Sequence, residues 1–186
     1  MTDSCRITDC AEADHAGKDG KQQRPDEKSG KGPVTTAIRA LRDNKVAFSE
    51  HTYTYIDRGG TAESSRQLGL DEHSLIKTLV MEDEFRKPLI VLMHGDKEVS
   101  TKELARIIGV KRISPCLPDI ARKHSGYMVG GTSPFGTRKT MPVYMEETIR
   151  DFPKIYINGG KRGYLVGIDP KELLRVLNPT LVKVAI

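Results

Sequence analysis

Apolar residues recur along this chain at two periods, and the switches between them mark out its elements. From Val34 the positions Val34, Ala37, Ile38 and Leu41 share one helical face before the polar run RDNK, which predicts a first helix. VAFSEHTYTYI, Val46 to Ile56, is rich in aromatic and β-branched residues and reads as a strand that Gly59 and Gly60 break. Ala62 to Leu68 then forms a short helix, with Thr61 as cap and Gly69 as stop. SLIKTLVM could end a helix, but its β-branched content and the strand-like PLIVLM beyond the turn EDEFRK favour a hairpin.

STKELARIIG carries the clearest helix signals. Ser100 caps it, Glu103 completes a capping box, Leu104, Ile107 and Ile108 face inward, and Gly109 terminates it. PDIARKHSG predicts another short helix, and after a glycine-rich stretch PVYMEE, KIYIN and YLVGI predict three strands. DPKELLRVLNP is a helix capped by Asp169, with Pro170 in its first turn and Asn178-Pro179 as its stop, and TLVKVAI closes the chain as a strand. No internal repeat is visible. The order of elements predicts a single mixed α/β domain over residues 34–186, a curved and mostly antiparallel sheet with flanking helices.

Residues 1–33 break the pattern, being dominated by Asp, Glu, Lys, Gln, Ser and Gly, and are expected to form a flexible polar tail. The tail holds six Lys/Arg against seven Asp/Glu, a net of −1, so with +5 for the whole chain the remaining residues carry +6. A basic domain favours a polyanionic partner such as RNA, although many basic proteins bind none. Three cysteines, Cys5, Cys10 and Cys116, form no disulfide framework and point to a reducing compartment. Cys5, Cys10 and His15 make a poor metal set in so polar a segment, and neither a metal nor a cofactor is expected. The longest apolar run is the five residues LIVLM, far short of a membrane span, and no signal-peptide pattern is present. The cytoplasm is the expected location.

Three places could carry chemistry. If LIKTLVM is a strand, Lys77 interrupts the apolar row Leu75, Leu79 and Met81, so it either snorkels to the rim, pairs with a carboxylate, or points into a cavity that an anionic ligand completes. In GYMVGGTSPFGTRK, Gly130 and Gly131 would let backbone N–H groups approach a ligand, with Thr132 and Ser133 as short donors; a bulge or hairpin turn is the plainer reading. NGGKRG presents Lys161 and Arg162 from a tight turn, which suits phosphate or merely solubilises the surface. Arg138 and Lys139 add charge at the end of the first glycine stretch. No nucleophile elbow surrounds Ser133, the histidines are scattered, and Cys116 sits among prolines with no base in view.

IKTLV around Lys77, SGYMVGGTSPFGTRKTMP from Ser125 and IYINGGKRG from Ile155 recur in one order, and with them the chain from Val34 to Ile186 resembles the YbaK family of aminoacyl-tRNA deacylases. That family is similar to the editing domain inserted in bacterial prolyl-tRNA synthetases. The subgroup resembled clears cysteine from proline tRNA, which implies trans-editing beside prolyl-tRNA synthetase on the acceptor end of aminoacyl-tRNA. By this resemblance Lys77 positions the substrate end, Tyr53 of EHTY is a further pocket residue, and Gly130 and Gly131 contact the ester. The resemblance also implies that the substrate cysteine's own thiolate attacks its ester carbonyl, releasing a cyclic thiolactone. Water-mediated hydrolysis of another small aminoacyl ester, or a binding module without turnover, are the competing readings. Asn158 and Leu165 stand where the family carries serine and aspartate, and Gly59-Gly60 where it carries an aromatic residue, so this chain departs from the pattern at the pocket wall.

Overall fold

A computed structural model describes residues 32–186; the expectations for the polar tail and for Cys5, Cys10 and His15 lie outside the described residues. Helix α1 (Thr36–Asp43) is capped by Thr35, whose hydroxyl accepts the Ile38 N–H at 3.1 Å. Ala37, Ile38 and Leu41 are buried as their spacing predicts, but Val34 precedes the helix and is 56% exposed. Strand β1 spans only Ser49–Thr52. Beyond it Tyr53 still donates to Gly163 O at 2.9 Å, and the Gln67 amide then takes over both backbone groups of Thr54. The anticipated long strand is cut short because its second half leaves the ladder to form a wall.

Helix α2 (Gly60–Leu68) ends at Gly69 in the left-handed conformation, and β2 (Leu75–Asp83) and β3 (Pro88–His94) form the expected antiparallel hairpin. Helix α3 (Thr101–Ile108) is capped by Ser100, which accepts the Glu103 N–H. The capping box does not close, because the Ser100 N–H donates to Val184 O at 2.8 Å and the Glu103 carboxylate pairs with Arg106. Ile107, placed inward by spacing, is 45% exposed. Strand β4 (Ile113–Pro115), three residues long, is too short to leave a periodic signal. Helix α4 (Pro118–Ser125), β5 (Val143–Glu146), β7 (Tyr164–Ile168) and α5 (Pro170–Leu177) follow as the pattern predicts, whereas β6 (Ile155–Lys161) runs on through an irregularity at the glycines expected to turn, and β8 (Thr180–Val182) takes up only three of the last seven residues.

The strands form one mixed sheet in the order β1-β7-β6-β2-β3-β5-β8, with β4 on β2; four pairings are antiparallel and three parallel. One face packs Ile76, Val80, Ile90 and Leu92 against α1, α5 and the buried Tyr127 and Phe135. The other packs Met81, Leu89, Val91 and Met93 against α3 and Val182.

The pairing leaves an opening. Strand β3 covers one edge of β2, so β6, pairing at Leu75 and Ile76, and β4, pairing at Met81 to Asp83, must share the other. Between them no strand reaches Lys77 to Leu79, and Val80 O is taken by the Cys116 N–H at 3.0 Å.

Candidate active site

A cavity of about 520 Å³ occupies this split in the sheet. Strand β2 lines it, Tyr53 and Tyr55 wall one side after β1, and Val129 and Gly130 wall another from the glycine-rich stretch. Asn158 and Arg162 of the β6–β7 hairpin close it, and Cys116 and Ala121 line it further along.

Lys77 lines this cavity along its stem, while its ammonium turns to the loop that follows β3. Its ammonium donates to Lys97 O, in the loop after β3. Burial lowers its pKa from the ordinary lysine value, opposed by the nearby carboxylates of Glu72, Glu98 and Asp96. A lysine in an apolar row is thus accommodated by one carbonyl and the nearby carboxylates, which leave other ammonium hydrogens unclaimed. Next to it the buried Thr78 hydroxyl has no hydrogen-bond partner among the described residues, although Thr78 lines the same cavity. Spacing gave no reason to single out Thr78, which reads as a β-branched strand residue.

The two glycine-bearing turns meet. Asn158 Nδ2 donates to Gly130 O at 3.2 Å, and its Oδ1 accepts the Gly160 and Lys161 N–H groups at 2.8 and 3.1 Å. Arg162 Nε donates to Val129 O at 2.9 Å, and its guanidinium lies 4.7 Å from the centre of the Tyr55 ring. Gly130 has φ +85°, and a Cβ there would stand 3.0 Å from the Tyr55 ring. Its missing side chain answers both the backbone conformation and the cavity wall.

The remaining candidate residues divide. Tyr53 and Thr132 line the cavity; burial raises the Tyr53 phenol pKa, and the Thr132 hydroxyl donates to Met128 O at 3.4 Å. Gly131 does not line it: its N–H donates to Met128 O at 2.9 Å, and a Cβ would stand 2.8 Å from Arg162 N, so the close approach it permits is to the chain's own hairpin. Ser133 is wholly buried, its hydroxyl accepting the Phe135 N–H at 3.4 Å, which removes it from any ligand. Lys161 is exposed and outside the cavity lining. Asn158 and Leu165, the departures from the family pattern, both face the cavity.

Among the described residues one thiol, that of Cys116, lines the cavity. Burial, then the charge and hydrogen bond of Glu82, push the Cys116 pKa up to about 11, so it stays protonated near neutral pH and is a poor nucleophile. No histidine lines the cavity, and no group of three metal-binding side chains occurs among the described residues. No helix among them is long and apolar enough to cross a membrane.

Known proteins resemble this chain in sequence and in fold. EbsC of Enterococcus faecalis, a proposed Cys-tRNA(Pro)/Cys-tRNA(Cys) deacylase, is 29% identical over 145 residues, covering 77% of this chain and 88% of EbsC. The proline–tRNA ligase of Thermodesulfovibrio yellowstonii is 33% identical over 118 residues, 61% of this chain but 19% of the ligase, so the likeness there is to one part of a larger enzyme. The crystal structure of a proposed trans-editing enzyme for prolyl-tRNA synthetase superposes with a TM-score of 0.70 at 21% identity, over 82% of this chain and 98% of that one, which speaks to the fold. The model of the aminoacyl-tRNA editing domain matches residues 59–176, the stretch holding Lys77, both glycine turns and most of the cavity they enclose, and the chain belongs to that family.

Proposed function

We propose that this protein is a trans-editing deacylase that removes cysteine from mischarged Cys-tRNA(Pro), working in the cytoplasm beside prolyl-tRNA synthetase. The observation supporting the reading is one cavity that Lys77 and Gly130 both line, while Cys116, the one thiol lining it among the described residues, is held protonated. A protein nucleophile is not needed if the substrate brings its own. The cysteine thiolate attacks the carbonyl carbon of its ester; the C–S bond forms, the C–O bond to the terminal ribose breaks, and the proton lost by the thiol ends on the ribose oxygen. The products are a cyclic thiolactone and free tRNA.

In this scheme Lys77 anchors the substrate end and favours the thiolate, as cations do for protein thiols. Gly130 offers its main-chain N–H to the developing oxyanion, the Gly131 N–H being given to Met128 O, and Tyr53 and Thr132 bound the acyl group. Gly131 acts from behind, by letting the turn dock on the hairpin. Selectivity is then chemical, since seryl and alanyl esters carry no thiol.

The test presents cysteinyl, seryl and alanyl esters on one tRNA to the protein and to Lys77→Ala. Cysteine-selective cleavage is expected, falling by about 10²-fold in the variant, the scale of losing one electrostatic stabiliser. Equal cleavage of all three esters contradicts thiol assistance and favours water-mediated hydrolysis. Binding without any turnover contradicts the enzyme reading.

A further inference from the structure

Four cations stand beside the cavity with no part in the scheme above. Arg122 and Lys123 belong to the last turn of α4, Arg138 and Lys139 to the loop beyond the glycine-rich stretch, and all four side chains are exposed. Backbone hydrogen bonds hold helix end and loop together: Arg138 N–H donates to Ser125 O at 3.1 Å, and Lys139 N–H to His124 O at 2.9 Å. Arg138 also lies over the helix stop, its Nε 3.9 Å from where a Cβ on Gly126 would be. No ion pair among the described residues includes any of the four. His124 reports the same crowding, since burial and then Lys139 and Lys123 hold its pKa below the usual histidine value.

Cations in the last turn complement the helix dipole, which accounts for Arg122 and Lys123 by themselves. It does not account for Arg138 and Lys139, brought to the same helix end by a different segment. The location matters too. Ala121, one residue before the patch, lines the cavity, and so do Val129 and Gly130 shortly after α4 ends.

We infer that Arg122, Lys123, Arg138 and Lys139 form the surface on which the phosphate backbone of the RNA lies when its aminoacyl end enters the cavity. The inference rests on the proposed function for the identity of that RNA. Arginine forks suit phosphate oxygens bidentately, and lysines add point charge. The β6–β7 turn, favoured on sequence grounds, has less to offer, because Arg162 is committed to Val129 O and to the Tyr55 ring.

The probe is an uncharged RNA hairpin carrying a proline-tRNA acceptor stem and its single-stranded 3′ end, with binding followed by fluorescence anisotropy between 50 and 200 mM salt, roughly the span over which phosphate binding weakens strongly. Replacing all four residues by Gln should weaken binding at least about tenfold at the low-salt end and make the log–log salt slope shallower by about 3, at roughly 0.7 to 0.9 for each phosphate no longer neutralised. Arg122→Lys with Arg138→Lys should restore most of the slope, and Lys161→Gln should change it by less than one phosphate's share. An unchanged slope in the folded quadruple variant overturns the inference. Loss of synthetase binding with RNA binding intact also overturns it, and assigns the patch to a protein surface. The readout needs no turnover: a protein that cleaves no ester yet loses its salt slope keeps this surface while the deacylase reading fails, and cysteinyl cleavage with an unaltered slope does the reverse.

Discussion

Cys116 shows how environment, not residue type, decides chemistry. It lines the cavity, and a thiol in such a position invites a nucleophilic role that the sequence, with no base in view, already disfavours. Burial and Glu82, 3.8 Å from its sulfur, raise its pKa to about 11. In a Cys5→Ser, Cys10→Ser background, alkylation should stay slow at pH 8 and accelerate only toward pH 11, with ester cleavage surviving Cys116→Ser. Stability carries the same sign. The unfolded thiol ionises first, so this group's contribution is fully present below about pH 9 and declines as pH climbs to about 11. Rapid alkylation at pH 8, or loss of cleavage in Cys116→Ser, would return the nucleophile to the protein. Lys77 was legible from spacing because an ammonium in an apolar row requires an explanation. Thr78 was not, because the lack of a partner for a hydroxyl is a fact of three dimensions.

Among elements, the glycine-rich turn and the β6–β7 hairpin depend on one another. Their glycines were visible in the sequence; their partnership was not, since it runs through Asn158 and Arg162 to carbonyls 28 and 33 residues away. Asn158 bonds in both directions, bracing its own hairpin through Oδ1 and holding Gly130 O through Nδ2. Asn158→Asp keeps the shape and the acceptor but removes the donor. It should therefore lower kcat for ester cleavage by about tenfold, the size of one hydrogen bond of about 1.4 kcal/mol, with KM little altered and faster amide exchange in the Met128–Gly131 turn. A change confined to KM, with exchange unaltered, would mean that Asn158 meets the substrate instead of the turn. Helix ends were read well at Asp169 and Gly109, but Thr61, read as a cap, lies inside α2 and its hydroxyl donates to Glu72 and to Gly95 O. The Ser100 box failed because a distant carbonyl, Val184 O, took the N–H that Glu103 would have claimed.

At the scale of the molecule, strand periodicity made the mixed sheet and the β2–β3 hairpin legible, and three recurring segments made the family legible. Strand order was not, because parallel pairings such as β2 with β6 join segments far apart in sequence and leave no local signature. The cavity exists because β6 and β4 share one edge of β2 without meeting, so it is a property of topology more than of any motif. That topology brings Lys77, Gly130 and a protonated Cys116 to the wall of one hollow, the lining on which the proposed function draws.

The most direct measurement is single-turnover cleavage of cysteinyl-tRNA(Pro) beside the same ester with its sulfur methylated. Rapid loss of the free cysteinyl ester, with a thiolactone trapped among the products and the methylated ester left intact, is the predicted result. Cleavage of the methylated ester at a comparable rate would contradict it.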